Sequence, residues 1–199
     1  MVQAQEPARG DRRPPSLIGR QVVLRPIEAE DREVLRRILA EPDVARWWAP
    51  RGAEAAVDGL YEAESDLVCV IVVGGVSAGA ISFYEENEPD YRHAAIDVFL
   101  STDFQGRGLG PDAVATLARH LFDERGHHRL TIDPAVSNER AIRAYRKVGF
   151  RPVGVMRAYE RGPDGSWHDG LLLDLLPDEL VEPSQGADAI PSPRPANQP

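Results

Sequence analysis

The sequence predicts an α/β domain, and three observations carry that expectation. Strand-like apolar runs alternate with amphipathic helical stretches along most of the 199 residues. Two of the runs, Leu67–Val73 and Val76–Tyr84, are separated only by Gly74-Gly75, a two-residue hairpin signal. A third, Ala95-Ile-Asp-Val-Phe-Leu100, passes through the glycine-rich stretch Gln105-Gly-Arg-Gly-Leu-Gly110 into a long amphipathic helix.

The elements follow in order. Gln21–Ile27 reads as a first strand. Glu30–Leu39 reads as a helix, with Val34, Leu35, Ile38 and Leu39 on one face. Pro42 ends it, and a second helical region covers roughly Asp43–Ala63. The hairpin strands come next, then a short acidic loop and a strand over His93–Leu100. In the helix after the glycines, Pro111 suits the first turn, and Val114, Leu117, Ala118, Leu121 and Phe122 repeat at helical spacing. A strand over Arg129–Asp133 leads to a helix that Ser137 or Asn138 can cap. Ala141, Ile142, Tyr145 and Val148 form its face and Gly149 its C-terminal stop. Two final strands, around Arg151–Tyr159 and Trp167–Leu176, are joined by the turn Gly162-Pro-Asp-Gly165.

Domain organisation is simple. Residues 1–15 hold three prolines and residues 181–199 hold five, both without periodicity, and both read as disordered tails around one domain at 16–180. A chain of 199 residues buries roughly 70% of its unfolded surface on folding. The N-terminus lacks an apolar signal segment and no run approaches a membrane span, so the expected location is cytoplasmic. The lone Cys69 lies in an apolar strand and reads as core. The five histidines show no metal-ligand spacing, so no metal is expected. The net charge of −9 belongs to the domain, because the two tails nearly cancel. An acidic domain argues against nucleic acid as a partner and suits a small polycationic substrate.

The stretch Gln105–Gly110 has the chemistry of a phosphate cradle. Closely spaced glycines admit an anion to the backbone, and the following helix aims its free N–H groups and positive dipole end at the same point. The dinucleotide pattern G-x-G-x-x-G fails, because the sixth position counted from Gly106 is Pro111. No Gly-Lys-Ser/Thr follows, which removes the P-loop. A glycine-rich turn without a ligand is the competing reading.

The pattern Gln-x-x-Gly-x-Gly resembles the pyrophosphate loop of the Gcn5-related N-acetyltransferase (GNAT) superfamily, which binds acetyl-coenzyme A. The segment Thr131–Phe150 resembles that superfamily's next motif through Asn138, Tyr145, Gly149 and Phe150. The resemblance covers about residues 18–176 and implies a mixed, mostly antiparallel, splayed sheet. Within the superfamily, Val44-Ala-Arg-Trp-Trp48, Ala95-Ile-Asp97 and Ile132-Asp-Pro-Ala-Val-Ser-Asn138 look most like the aminoglycoside 6′-N-acetyltransferases. Two departures stand out: the segment from Tyr84 to His93 is short, and Ala49-Pro50 follows Trp48 where a glycine is expected.

The resemblance implies direct transfer of acetyl from acetyl-coenzyme A to an amine in a ternary complex. Gln105, Gly106, Arg107, Gly108, Leu109 and Gly110 would hold pyrophosphate through backbone N–H groups, Val98, Phe99 and Leu100 would pair with the pantetheine arm, and Asn138 would contact the cofactor arm. Asp97 interrupts an apolar strand and can take a proton from an ammonium or anchor it; an outward-facing strand residue is the alternative. Tyr145 is the proton donor to the leaving thiolate, or a core tyrosine. Asp133 is a second amine anchor or a turn-initiating residue. Trp47 and Trp48 supply one core ring and one pocket wall. Glu85, with Glu86, Glu88 and Asp90, lies beside the expected acceptor cleft or forms a solvated loop. Rival acceptors are protein N-termini or ribosomal proteins, and a hydroxylysine-type siderophore precursor. A non-catalytic coenzyme A sensor is the rival from another class, and both monomer and homodimer stay open.

Overall fold

The structure, a computed structural model, describes residues 15–62, 67–162 and 164–181. Apart from Pro15 and Val181, the two tails expected to be disordered lie outside the described residues. So do Ala63 and Pro163.

Eight strands form one sheet: β1 (Leu17–Ile18), β2 (Val23–Pro26), β3 (Val68–Val73), β4 (Val76–Glu86), β5 (His93–Leu100), β6 (Leu130–Ile132), β7 (Arg151–Arg161) and β8 (Trp167–Leu175). Their spatial order is β1-β2-β3-β4-β5-β6-β8-β7, antiparallel except for β5 beside β6. Alternation along β3 explains the two-sided core. Val68 and Val70 pack with helices α1 (Arg32–Leu39), α2 (Pro42–Trp48) and α3 (Ala53–Glu62). Cys69 and Ile71 face α4 (Leu109–Asp123) and α5 (Glu139–Val148) on the other side. Burial pushes the Cys69 thiol up to about 12, so it stays an inert apolar filler.

The helical region expected over 43–63 is two helices. Pro42 opens α2 at its first turn, and the chain breaks after Trp48. Pro50 disfavours helical backbone at Ala49, which takes φ −126° and ψ 53°. Gly52 then turns at φ +94°. The first strand also differs. A two-residue β1 precedes it, and Leu17↔Leu24 and Ile18↔Val23 make a small hairpin.

The loop between those two strands is pinned to the start of α4. Asp112 is 2% exposed and accepts the backbone N–H groups of Arg20, Gln21 and Val22 at 3.1, 2.7 and 3.2 Å. Its charge is thereby answered by three backbone donors. Two hydrogen bonds position the segment that follows β5: Thr102 N–H donates to Glu41 Oε2 at 2.6 Å, and Gln105 Nε2 donates to the Leu100 carbonyl at 2.7 Å.

Candidate active site

The sheet opens where β5 and β6 part. They pair only at Ala94↔Leu130 and Ala95↔Thr131, while β4 follows β5 all the way to Gly79↔Leu100. In an antiparallel pair, alternate residues turn both backbone groups to the same neighbour. Ser101 N–H donates to Ala78 on the β4 side, and Ala94 N–H donates to Arg129 on the other. Ile96, Val98 and Leu100 therefore share the side of Ala94 and aim their backbone groups into the splay. Phe99 belongs to the opposite set, with its backbone turned to β4 and its ring against Trp48 at 5.1 Å between centroids. Of the three residues Val98, Phe99 and Leu100, only the first and last present backbone to the gap.

A cleft of about 440 Å³ fills this splay. At one end lies the glycine-rich loop. Gly106 (φ +76°) and Gly108 (φ +80°) take left-handed backbone, and Gly108 is the N-cap of α4. The N–H groups of the first turn have no partners within the helix, and Pro111 has none to satisfy. Gly110 has ordinary φ, and a Cβ there would meet only Leu100 Cδ1 at 3.6 Å; what the missing side chain keeps open is the cleft it lines. Arg140 of α5 donates to Gln105 Oε1 at 2.6 Å, and Arg143 and Lys147 from the same helix also line the cleft. This end is basic and rich in N–H donors, which suits phosphate.

The opposite end is acidic. Asp97 on β5 and Asp133 just past β6 line it together with Tyr145 of α5 and Tyr159 and Glu160 of β7. The Asp97 side chain is exposed and lines the cleft. Desolvation by the cleft walls, with the Asp133 charge second, pushes its pKa up to about 6. Tyr145 is 9% exposed and packs on Phe150 at 6.2 Å. Burial first, then Asp97 and Asp133, raise its hydroxyl well above the usual phenol range, so it stays protonated at neutral pH. Asn138 caps α5 by accepting from Ala141 N–H at 3.2 Å, a structural duty it combines with lining the cleft. Helix α2 forms the remaining wall with Trp47 and Trp48. Arg46 stacks over the Trp47 ring at 4.8 Å.

Three expected site residues place their side chains elsewhere. The Leu109 side chain is 3% exposed and belongs to the core, while its backbone N–H stays in the first turn of α4. Arg107 stacks over Phe104 at 5.8 Å and does not line the cleft. Glu85 is turned away entirely. Its register partner is Ala94, three residues from the Ser82↔Asp97 pair, or about 10 Å along the strand. It pairs with Arg125 and with His127 Nε2 at 2.7 Å. Burial raises the Glu85 pKa, but these partners outweigh it and hold the group down at about 2. Glu85 is thus a clamp on the loop after α4. Sequence reasoning missed Tyr159, Glu160 and the α5 cations. Arg140, Arg143 and Lys147 follow helical spacing on one face and were readable; the two β7 residues depend on a bulge with no local signal.

The chain matches the family model described as "Acetyltransferase (GNAT) domain" over residues 21–151. It is 30% identical over 139 residues to a spermidine N(1)-acetyltransferase of Escherichia coli K12, covering 67% of this chain and 74% of that one. It is 29% identical over 164 residues to an aminoglycoside N(6′)-acetyltransferase type 1 of Klebsiella pneumoniae, covering 72% and 79%. The solved structure of AAC(6′)-Ib in complex with ribostamycin and coenzyme A superposes with a TM-score of 0.65 at 26% identity, covering 80% of this chain and 95% of that one.

Proposed function

Because the chain belongs to the GNAT acetyltransferase family, we propose that it transfers acetyl from acetyl-coenzyme A to a primary amine of a small polycationic acceptor. An aminoglycoside modified at its 6′-amine is the acceptor we favour. The observation that carries this reading is the two-ended cleft: one continuous gap runs from N–H donors and α5 cations to the Asp97–Asp133 pair. The phosphate-rich co-substrate suits the first end and an ammonium the second, which brings thioester and amine together.

The residues fit those roles. The N–H groups of Gly108, Leu109 and Gly110, with Gln105 and Gly106 shaping the loop, hold pyrophosphate. Val98 and Leu100 offer backbone groups to the pantetheine arm, and Val98 N–H polarises the thioester carbonyl. Acetyl-coenzyme A, when bound, supplies an acetyl group activated as a thioester. Asp97 accepts the proton that the attacking ammonium must lose, and a pKa of about 6 lies near the best value for a base working at neutral pH. Asp133 anchors a second ammonium. Trp47 walls the acceptor side and Trp48 braces Phe99 beneath it. Tyr145 donates a proton to the departing thiolate.

The test is a panel of kanamycin, tobramycin and 6′-hydroxyl analogues with mass readout of products. A 6′-amine substrate gains one acetyl group; the 6′-hydroxyl analogue binds and stays unmodified. Expression in a susceptible host raises resistance. The similarity to a spermidine N(1)-acetyltransferase favours a second reading, with a linear polyamine in the same acidic end. Turnover of spermidine with no aminoglycoside modified selects that reading. Acetylation of peptides alone removes both.

A further inference from the structure

The outer strand β7 does not run regularly past β8. Register is lost between Met156 and Glu160, and within that bulge Ala158 sits at φ +49°, the one non-glycine residue with positive φ among the described residues. L-residues with a Cβ rarely take this conformation, so something must hold it. Ala158 N–H donates to Asp169 Oδ1 of β8 at 2.8 Å. The bulge turns Tyr159 across β8, where its ring lies over Gly170: a Cβ at that glycine would stand 2.8 Å from Tyr159 Cδ1. From there the Tyr159 hydroxyl donates to Asp133 Oδ2. The loop carrying Asp133 rests on the same part of β8, through Val136 N–H to Asp169 and Leu171 N–H to Pro134 at 2.9 and 2.8 Å.

We infer that Tyr159 is a specificity-determining residue of the acceptor end, with Asp169 and Gly170 as its positioning residues. Its hydroxyl orients the Asp133 carboxylate to receive a second ammonium while Asp97 serves the reacting amine. This rests on the amine-acetyltransferase reading above. A carboxylate has about four lone-pair sites, so one donated hydrogen bond fixes its direction and leaves room for a cation. The hydrogen bond to Asp133 is the foremost cause that raises the Tyr159 hydroxyl up to about 12, so it stays a donor wherever the enzyme works. Tyr159 thereby selects for acceptors with two or more amines.

The experiment compares wild type, Tyr159→Phe and Gly170→Ala on kanamycin and spermidine, and on the one-amine counterparts 6-amino-6-deoxyglucose and propylamine. For Tyr159→Phe, kcat/KM on the polyamine falls about tenfold through KM, the scale of one hydrogen bond to a charged group, and the one-amine acceptors are unaffected. Gly170→Ala displaces the ring and gives the same pattern; melting temperature reports whether that variant folds, and Tyr159→Phe keeps the inference testable if it does not. The melting shift produced by acetyl-coenzyme A is unchanged in Tyr159→Phe. Equal losses on polyamines and monoamines, no loss on either, or a wild type indifferent to the second amine overturns the inference. A wild type that shows the acetyl-coenzyme A melting shift but acetylates none of the four amines overturns the proposed function, and this inference with it.

Discussion

The two ends of the cleft are built by different means. The phosphate end is centred on one contiguous stretch, Gln105–Pro111, whose backbone supplies the N–H donors and whose glycines at 106 and 108 supply the turn, with cations added from α5. The acceptor end is assembled from side chains on four elements, α2, β5, α5 and β7, and from the loop after β6. Backbone recognition needs few particular side chains, so one end can be read from local sequence. Side-chain recognition exists only after the sheet has brought distant residues together. It follows that the two ends should fail separately under mutation.

The largest effect expected is at the acceptor end. Asp97→Asn lowers kcat about 10²–10⁴-fold, the usual cost of losing a general base, while the melting shift with acetyl-coenzyme A persists. For the wild type, kcat/KM falls with unit slope as pH drops below about 6, the value to which the carboxyl is raised, because only the deprotonated form accepts the proton. Near-native turnover in the mutant, or a flat acid limb, removes Asp97 from the chemistry. At the other end, Gly108→Val forces a β-branched residue to φ +80°, a strain of roughly 1–2 kcal/mol, and abolishes the cofactor-induced melting shift. Gly110→Val separates the two contributions. Its backbone is unstrained, so the protein keeps its intrinsic melting temperature, yet the side chain obstructs the cleft and the cofactor shift shrinks. Normal shifts in both variants remove the cradle.

Tyr145→Phe should cost about tenfold in kcat, at the low end for a proton donor that water can replace. An effect as large as that of Asp97→Asn would mean that it does more than donate. Glu85→Gln is the sharpest contrast, because that residue lies outside the cleft. It leaves kcat/KM unchanged and lowers stability by about 2 kcal/mol, the scale of lost hydrogen bonds to a charged group. The Glu85 pKa is depressed to about 2 in the folded state against about 4.3 unfolded. Its contribution is therefore fully present above the unfolded value and is lost as pH falls through the folded one. Denaturant titrations at pH 7 and pH 3 check the sign.

The order of strands and helices, the glycine loop and both of its flanking elements were legible because turn chemistry and helical periodicity are local, whereas the mixed, splayed sheet came from the family resemblance. The Asn138 cap and the Gly149 stop at φ +112° are local in the same sense. The break at Ala49–Gly52 was also written locally, in Pro50 and Gly52, but the apolar periodicity on either side masked it. Glu85 misled because its neighbours Glu86, Glu88 and Asp90 made it look like part of an acidic cluster beside the acceptor cleft. Its partners, Arg125 and His127, lie about forty residues away, and only strand register reveals them. Tyr159 and Glu160 were illegible for a related reason. Their place depends on a shift in register between β7 and β8, fixed by Asp169 and Gly170 across the pair.

The two residue pairs that join β5 to β6 also have a mechanical meaning. Strands β1–β5 and β6–β8 form two half-sheets stitched by Ala94↔Leu130 and Ala95↔Thr131, with the backbone N–H groups of Val98 and Leu100 facing the gap along one lip of the seam. A ligand seated there acts as the missing rung of the ladder and ties the halves into one cooperative unit. Amide exchange at Val98 and Leu100 would then slow together with exchange on β6, and pulling the halves apart would require the ligand to leave first.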